Sequence, residues 1–195
     1  MNVFLGITGA SGAPYAARLL DALVAADVEV GLCASSAGLE VVATELYGDP
    51  DLDRDEVLRR FVGDRAGVTV HAPDDWRAPY ASGSAKVDAY VICPCSMGTA
   101  GTIASGTMSN LIHRAASVAI KEGRKLIVVP RETPLSDIHL ENLLRLRRAG
   151  AVVLMAAPGF YNAPQSIDDL IEFVVGRCLH QLEIENRLTK RWGQE

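Results

Sequence analysis

The sequence predicts an α/β fold in which a parallel sheet is covered by helices on both faces. Six short apolar runs alternate with segments of helical periodicity along the 195 residues, and this alternation is typical of βαβ units. Each run is continuously apolar, as in strands that are buried on both faces. The length is that of one domain, and no linker, repeat or low-complexity tract divides the chain, so we interpret residues 1–195 as a single domain.

The first strand and the first helix are the best defined elements. Val3–Ile7 is an apolar run that leads into a glycine-rich turn. Pro14 suits the first turn of a helix, and the apolar residues of Pro14–Ala25 recur on one helical stripe. Similar apolar runs predict strands at Val28–Cys33, Val68–His71, Ala89–Cys93, Leu126–Val129 and Val152–Met155. Periodicity predicts further helices at Ala37–Leu46, Asp55–Phe61, Asn110–Lys121, Ile138–Arg148 and Ser166–Arg187.

One long segment fits neither pattern. Pro73–Lys86 contains Trp76, Tyr80 and the run Ser82–Ser84, but it has no periodicity of its own. A loop of this length inside a compact domain is usually functional or mobile. We therefore expect part of the functional site in this segment.

Composition and charge exclude several classes of protein. The chain carries 19 Lys and Arg against 24 Asp and Glu, a formal net charge of −5, so it lacks the broad basic surface that nucleic acids select. No apolar run approaches the roughly 18–20 residues of a membrane span, and the first residues do not resemble a secretory signal. The four cysteines form no C-x-x-C pair, which indicates reduced thiols in the cytoplasm rather than disulfides or a metal site.

Two loops rich in glycine and hydroxyl residues follow predicted strands. Gly6–Gly12 leads into the first helix, where glycines and a helix N-terminus suit a phosphate, although it is neither a Walker A loop nor a complete dinucleotide fingerprint. Cys93–Thr102 follows a mid-sheet strand. The alternatives are an ordinary tight turn for the first loop and a helix cap, with Ser96 as N-cap, for the second. Because ligands bind at the carboxyl ends of parallel strands, we favour phosphate or cofactor binding in a shared cleft.

Two further segments after strands carry candidate functional groups. Val129–Pro134 places Arg131 and Glu132 between prolines, a rigid arrangement that suits a clamp on an anion; the alternative is a surface ion pair. Ala156–Tyr161 ends in a tyrosine that can hydrogen-bond a phosphate or pack in the core. No Gly-x-Ser-x-Gly elbow occurs, so Ser11 has no evident general base for acyl transfer.

Taken together, these motifs resemble the flavin prenyltransferase family of the UbiX type. The resemblance covers nearly the whole chain, and it depends on the joint order and spacing of motifs that are each weak alone. The matching segments are Thr8–Ala13, Ala81–Ser84, Val91–Ser96, Asn110–Leu111 with Arg114–Ala116, Val129–Pro134, Ile138–Leu143, Ala157–Tyr161 and Pro164–Ser166.

The resemblance implies a flavodoxin-like fold that binds reduced FMN as the prenyl acceptor, with dimethylallyl monophosphate as the prenyl donor. In this family the isoprenoid unit is joined to N5 and C6 of the flavin, and the prenylated FMN serves partner decarboxylases. The family works without a metal ion and assembles as a dodecamer with sites at subunit junctions. The resemblance therefore also implies a homo-oligomer in which neighbouring chains complete each site.

The same resemblance implies roles for individual residues. Ser11 and Glu45 are implied in handling the N5 proton. Glu132 is implied as the acid/base carboxylate at the leaving phosphate, with Lys121 beside it and Trp76 near the prenyl chain. The implied FMN-binding residues are Gly9, Ala10, Ser11, Ser35, Ser96, Met97, Gly98, Thr99 and Arg131. The implied donor-binding residues are Ser84, Arg114, Lys121, Arg131, Tyr161 and Arg177.

Two alternative functions share the fold and the flavin. The first is a flavin-dependent decarboxylase of peptidyl or pantothenoyl cysteine, which uses a catalytic histidine and an asparagine-bearing loop; here the comparable stretch is Cys93–Ser96, and His71 lies outside that context. The second is a non-catalytic flavin-binding subunit of a decarboxylase complex. A pure carrier has no use for a second phosphate site, so the transferase is favoured by the joint presence of Lys121, Arg131, Glu132, Tyr161 and Arg177.

Overall fold

Six parallel strands form the centre of the structure, a computed structural model that describes residues 1–188. The strands β1 to β6 are Asn2–Ile7, Glu29–Ala34, Val68–Val70, Ala89–Cys95, Lys125–Pro130 and Val152–Val153. They lie in the order β3-β2-β1-β4-β5-β6, and each neighbouring pair is parallel. When the short edge strand β3 is set apart, the remaining order is that of flavodoxin-like sheets.

Helices cover both faces of this sheet, so the predicted three-layer, flavodoxin-like architecture is confirmed. The helices α1 to α7 are Ala13–Ala25, Ser36–Tyr47, Arg54–Val62, Met97–Ala104, Leu111–Lys121, Asp137–Arg148 and Ile167–Gln181. Buried residues of α1, α2, α3 and α7 form one core with the sheet, and those of α4, α5 and α6 form the other. A short 3₁₀ turn at Pro79–Ala81 adds Tyr80 to the second core.

Residues of the central strands enter the two cores alternately. In β1, Leu5 and Ile7 pack in the core beneath α1, whereas Phe4 packs in the core beneath α5. Side chains of a strand point to opposite faces in turn, so a strand that is covered on both sides is apolar throughout. This packing explains the continuous apolar runs that predict the six strands.

The last helix is shorter than the predicted Ser166–Arg187, and that prediction is wrong at its end. Helix α7 stops at Gln181, because Glu183 adopts a left-handed φ of 61°. The Glu183 N–H donates to the His180 carbonyl at 3.1 Å, and the Ile184 N–H donates to the Leu179 carbonyl at 3.0 Å. These two bonds form a Schellman motif, whose left-handed position is usually glycine. A glutamate there gives no sequence signal for the helix end.

The carboxyl ends of all six strands meet at one edge of the sheet. The chain passes from β1 to β2 on one side of β1, and β4 lies on the other side. In doubly wound sheets, ligands bind in the crevice outside the carboxyl ends at such a switch point. The loops after β1 and β4 flank this crevice, and these are the two glycine- and hydroxyl-rich loops of the sequence.

Candidate functional site

Thr8 joins the loops that follow β1 and β4. Its side chain is 2% exposed, and its Oγ1 donates to the Pro94 carbonyl at 2.9 Å. The same oxygen accepts the Ser96 N–H at 2.7 Å, and the Thr8 N–H donates to Pro94 at 3.2 Å. A buried hydroxyl that is both donor and acceptor fixes the relative position of its partners. The crevice therefore has a rigid floor.

The loop after β1 also lies directly against the start of α2. A Cβ on Gly9 would stand 2.6 Å from the Ala37 Cβ, so only glycine allows this approach. Ser35 is the N-cap of α2, and its Oγ accepts the Gly38 N–H at 3.0 Å. Ser11 is exposed at the rim of this loop, whereas Ala10 is buried. The predicted flavin contacts after β1 and β2 thus share one edge of the crevice.

The loop after β4 passes at once into a helix, which is the alternative that the sequence left open. Ser96 is the N-cap of α4, and its Oγ accepts the Thr99 N–H at 3.2 Å. Met97 and Thr99 are buried in the first turn, whereas Gly98 is exposed. A helix N-terminus presents unpaired N–H groups and the positive end of the helix dipole. The capped helix therefore remains able to bind an anion or a polar ring.

Two charged side chains from other elements reach the loop after β1. The Arg131 Nε, after β5, donates to the Ser11 carbonyl at 3.1 Å. The Glu45 carboxylate, on α2, accepts the N–H groups of Gly12 and Ala13 at 2.9 and 2.8 Å, and so caps α1. The structure thus brings Ser11, Glu45 and Arg131 together. Because Glu45 takes these two N–H groups, an incoming anion has the Arg131 cation and the N-termini of α2 and α4 available instead.

Glu132 lies next to Arg131 at the same edge. It is half-buried, and its Oε1 accepts the N–H of Thr133 at 3.1 Å. This bond ties the carboxylate to its own loop after β5 and leaves its second oxygen for a further partner. The Arg131–Glu132 pair is therefore positioned at the crevice, as the proline-flanked motif predicts.

Three of the predicted donor-binding residues form a separate group on the α5 face. The Arg114 Nε donates to the Ala81 carbonyl at 2.9 Å, and Lys121 forms an ion pair with Glu122. The loop Ser82–Ser84 packs beside this pair, and the Arg124 Nη2 donates to the Gly83 carbonyl at 2.6 Å. Lys121 also lines a cavity of about 400 Å³ between α4, α5 and α6. Ser84, Arg114 and Lys121 thus lie along the same face of the protein, beside α5.

Lys121 lies far from the crevice within one chain. It ends α5, four residues before β5 begins at Lys125, so it stands near the amino-terminal edge of the sheet. Arg131 follows the carboxyl end of the same strand. A six-residue parallel strand is about 20 Å long, and this distance separates the two edges. A phosphate held at Arg131 is therefore beyond the reach of Lys121 of the same chain.

Tyr161 and Arg177 occupy a third place, beside α7. The Tyr161 ring meets the Phe173 ring edge-on, with centroids 5.8 Å apart. Phe173, Arg177 and Ala157 line a cavity of about 260 Å³ along the free edge of β6. The loop that carries Tyr161 leaves the same sheet edge as the crevice, since the Ala156 N–H donates to the Pro130 carbonyl at 2.9 Å.

The chemistry of the donor set fits a flavin nucleotide. Hydroxyls of Ser11, Ser35 and Ser96, two helix N-termini and the Arg131 cation surround the crevice at the switch point. This set offers hydrogen-bond donors to a phosphate and to a polar ring system. Among residues 1–188, no group of three His, Cys, Asp or Glu side chains could hold a metal ion, and no helix in that range is long and apolar enough to cross a bilayer.

The buried cysteine thiols are unreactive as nucleophiles. All four are free and buried, and burial raises the pKa of Cys95, next to Ser96, to about 12. The same cause raises the pKa of Cys33 and of Cys178 to about 12. The nucleophile in thiol chemistry is the thiolate, so these side chains stay protonated and pack as small apolar groups. None of these three thiols is therefore available as a nucleophile at the crevice.

Comparison with known proteins identifies the family. The Flavoprotein family model matches residues 1–179. A flavin prenyltransferase UbiX from Pseudomonas aeruginosa is 50% identical over 199 aligned residues, which cover 100% of this chain and 95% of that protein. A flavin prenyltransferase UbiX from Methanocaldococcus jannaschii is 45% identical and covers 99% of both chains. The chain belongs to the flavin prenyltransferase family.

Two solved structures of UbiX or UbiX-like proteins agree with this assignment. The crystal structure of AnUbiX (PadA1) in complex with FMN and dimethylallyl pyrophosphate has a TM-score of 0.88 and 38% identity, and it covers 100% of this chain and 98% of that one. A dodecameric FMN-dependent UbiX-like decarboxylase from Escherichia coli O157:H7 has the same TM-score, 39% identity and full coverage of both chains. The cysteine decarboxylase TvaF, at 22% identity and a TM-score of 0.60, shares the fold alone.

Proposed function

We propose that this protein transfers the dimethylallyl group of dimethylallyl monophosphate to reduced FMN, joining it to N5 and C6, and so supplies prenylated FMN to a partner decarboxylase. The observation that carries the proposal is that the chain presents two separate sets of cationic and hydroxyl side chains that are chemically able to bind a phosphate. The first set surrounds the crevice at Arg131, and the second lies outside it in two places, with Lys121 on the α5 face and with Arg177 beside α7. A pure flavin carrier needs only the first set.

The crevice binds the flavin in this proposal. Its hydroxyls and helix N-termini hold the phosphate and the polar ring edges, and the Thr8 bridge keeps the two loops in register. When bound, reduced FMN supplies the nucleophilic nitrogen and carbon of the reaction. The FMN-binding residues are proposed to be Gly9, Ala10, Ser11, Ser35, Ser96, Met97, Gly98, Thr99 and Arg131.

The second set binds the donor phosphate and makes it a better leaving group. A monophosphate leaves only when its charge is offset, so several cations and hydroxyl donors have to point at its oxygens. Arginine and lysine provide this offset without a metal ion. The donor-binding residues are proposed to be Ser84, Arg114, Lys121, Arg131, Tyr161 and Arg177.

Three carboxylate and hydroxyl groups are proposed to move protons. Glu132, held beside Arg131, donates a proton to the departing phosphate or accepts one later. Ser11 and Glu45 lie together at the start of α1 and handle the N5 proton. Trp76 shields the allylic group from water, and its π face stabilises developing positive charge.

Neighbouring copies of the chain are proposed to complete each site. Lys121 and Arg131 of one chain lie at opposite ends of strand β5. Both therefore reach one phosphate only if different chains supply them. The dodecameric assembly of the E. coli protein supports a similar homo-oligomer here. We further propose that the enzyme works in the cytoplasm, which the four free, buried thiols support.

The proposal is tested by anaerobic incubation of the protein with FMN, dithionite and either dimethylallyl monophosphate or the diphosphate. The expected product is a flavin heavier by one C5 unit, detected by mass spectrometry. Unchanged FMN from a folded, flavin-loaded protein with both donors would contradict prenyl transfer and would favour the carrier function. The comparison of donors also identifies the preferred leaving group.

A further inference from the structure

The start of the loop that carries Trp76 is held by two backbone hydrogen bonds, one to β2 and one to the start of α5. The His71 N–H, just after β3, donates to the Leu32 carbonyl of β2 at 2.8 Å. The Leu111 N–H, at the start of α5, donates to the Pro73 carbonyl at 2.7 Å. The loop thus crosses from the edge strand to α5 beside the crevice. This position places Trp76 on the α5 side of the flavin-binding loops.

The Asp75 carboxylate contacts residues before and after the tryptophan. Its Oδ2 accepts a hydrogen bond from His71 Nδ1 at 3.0 Å, and its Oδ1 accepts the Arg77 N–H at 3.1 Å. The hydrogen bond from His71 keeps the pKa of Asp75 below its ordinary value, so the carboxylate is ionised. A charged acceptor makes a stronger hydrogen bond than a neutral one. Both oxygens of one carboxylate therefore fix the turn that presents Trp76.

The His71 ring packs against Tyr80, which in turn packs against β2 of the sheet. Its ring meets the Tyr80 ring edge-on, with centroids 5.3 Å apart and an interplanar angle of 74°. The Tyr80 ring lies on the bare backbone of Gly31, where a Cβ would come within 2.0 Å of a ring atom. The Tyr80 hydroxyl donates to Asn2 Oδ1 at 2.9 Å. The imidazole is therefore 12% exposed and has a fixed orientation.

The Trp76 side chain is exposed, although the backbone around it is held by hydrogen bonds. The residue is 52% exposed, although its N–H donates to the Asp74 carbonyl at 2.9 Å and the turn is closed by the Asp75 bonds. A large indole on a rigid backbone loses little conformational entropy when a ligand covers it. An exposed aromatic ring held in this way is suited to receive an apolar group.

We propose that His71 and Asp75 are positioning residues that fix Trp76 as a wall of the site for the dimethylallyl chain. This inference rests on the proposed function, because that function supplies the prenyl group which the indole covers. The pair acts through the turn and touches neither the flavin nor the phosphate. Removing the His71 donor frees the turn, and the wall then no longer meets the prenyl chain in one orientation.

Two substitutions at position 71 separate the hydrogen bond from general packing. His71→Leu removes the donor, whereas His71→Asn retains an N–H at the place of Nδ1. We expect His71→Leu to raise the KM for dimethylallyl monophosphate about tenfold, because one charge-assisted hydrogen bond is lost. The affinity for FMN should not change. His71→Asn is expected to stay within about twofold of the wild type. Asp75→Ala is expected to match His71→Leu, which guards against a folding defect in either variant.

Combination with Trp76→Leu decides whether the pair acts through the indole. If it does, Trp76→Leu raises the KM to a similar extent, and adding His71→Leu raises it no further. Independent, multiplying effects would overturn the inference. So would an unchanged KM in His71→Leu, or an equal rise in His71→Asn.

Tryptophan fluorescence provides a readout that does not depend on turnover. Trp76 and Trp192 are the two tryptophans of the chain, so a Trp192→Phe background isolates Trp76. We expect dimethylallyl monophosphate to protect Trp76 from acrylamide quenching. In His71→Leu, the donor concentration that gives half of the full protection should rise about tenfold. Absence of protection in the wild type would overturn the inference. Protection without prenylated product would contradict the proposed function alone.

Discussion

The Thr8 hydroxyl accepts the N–H of Ser96 at 2.7 Å and thereby joins the two loops that line the crevice. The two residues are 88 positions apart in the chain, and they meet because β1 and β4 are neighbours in the sheet. The hydroxyl also donates to the Pro94 carbonyl. One buried side chain thus couples the two loops of the proposed flavin site, and we expect its loss to affect folding and cofactor binding together.

Thr8→Val keeps the shape of the side chain and removes the hydroxyl. We expect it to lower the free energy of unfolding by about 1–3 kcal/mol, because the Ser96 N–H loses its buried acceptor. The affinity for FMN should fall in parallel, because the two loops lose the contact that fixes their relative position. Flavin fluorescence titration measures this affinity. Thr8→Ser, which keeps the hydroxyl, is the control and should retain most of the affinity. Equal behaviour of the two variants would show that the hydroxyl does not couple the loops.

Glu45 combines a structural contact with a proposed catalytic role. Its carboxylate caps α1, so Glu45→Ala should lower the free energy of unfolding by about 1 kcal/mol. Glu45→Gln retains an oxygen acceptor and should be more stable than the alanine variant. If the carboxylate also handles the N5 proton, Glu45→Gln turns over slowly while it binds FMN normally. Wild-type turnover in Glu45→Gln would restrict the residue to capping.

Glu132→Gln tests the acid/base role at the leaving phosphate. Its amide retains an oxygen to accept the Thr133 N–H, so FMN binding should be preserved. Turnover should fall on the order of 10²–10⁴-fold, the usual contribution of a positioned acid or base. Glu141→Gln, an exposed position on α6, is the matched control and should leave turnover unchanged. A near-normal rate in Glu132→Gln would remove the proposed role.

The buried thiols make the fold sensitive to alkali. An unfolded thiol ionises near pH 9, whereas burial keeps Cys178 protonated in the folded chain up to about pH 12. The unfolded state therefore gains stability as the pH rises through this window. Between pH 8 and pH 10 this thiol alone should lower the unfolding free energy by roughly 1 kcal/mol. Urea unfolding at both pH values should show a smaller loss in Cys178→Ala than in the wild type, by that amount; equal losses would contradict the shift.

The sequence predicts the sheet well because its strands are buried on both faces. Leu5 and Phe4 enter opposite cores, so the apolar run of β1 has no gap, and similar runs mark the other strands. The end of α7 was not predictable in this way, since the left-handed Glu183 resembles any solvent-exposed helical residue. The bridge from Thr8 to Ser96 was equally hidden, because a sequence does not state which strands are neighbours.

The candidate site was predictable in part. Residues directly after parallel strands share one edge by geometry alone, so Ser11, Ser96 and Arg131 could be placed together. Lys121 and Arg177 lie on helices, and a helix alone does not specify which neighbouring chain it meets. The resemblance to a family supplied their roles, whereas the separation of Lys121 from Arg131 became visible only in three dimensions.

The most direct test of the account is to mix two inactive chains. Lys121→Ala and Arg131→Ala, each expected to be inactive alone, are co-expressed with different tags, and assemblies that carry both tags are incubated anaerobically with reduced FMN and dimethylallyl monophosphate. If different chains supply Lys121 and Arg131 to one site, random assembly restores both residues in about a quarter of the sites, and prenylated FMN appears at about that fraction of the wild-type rate. If one chain supplies both residues, no site is restored, and an inactive mixed assembly would contradict the account.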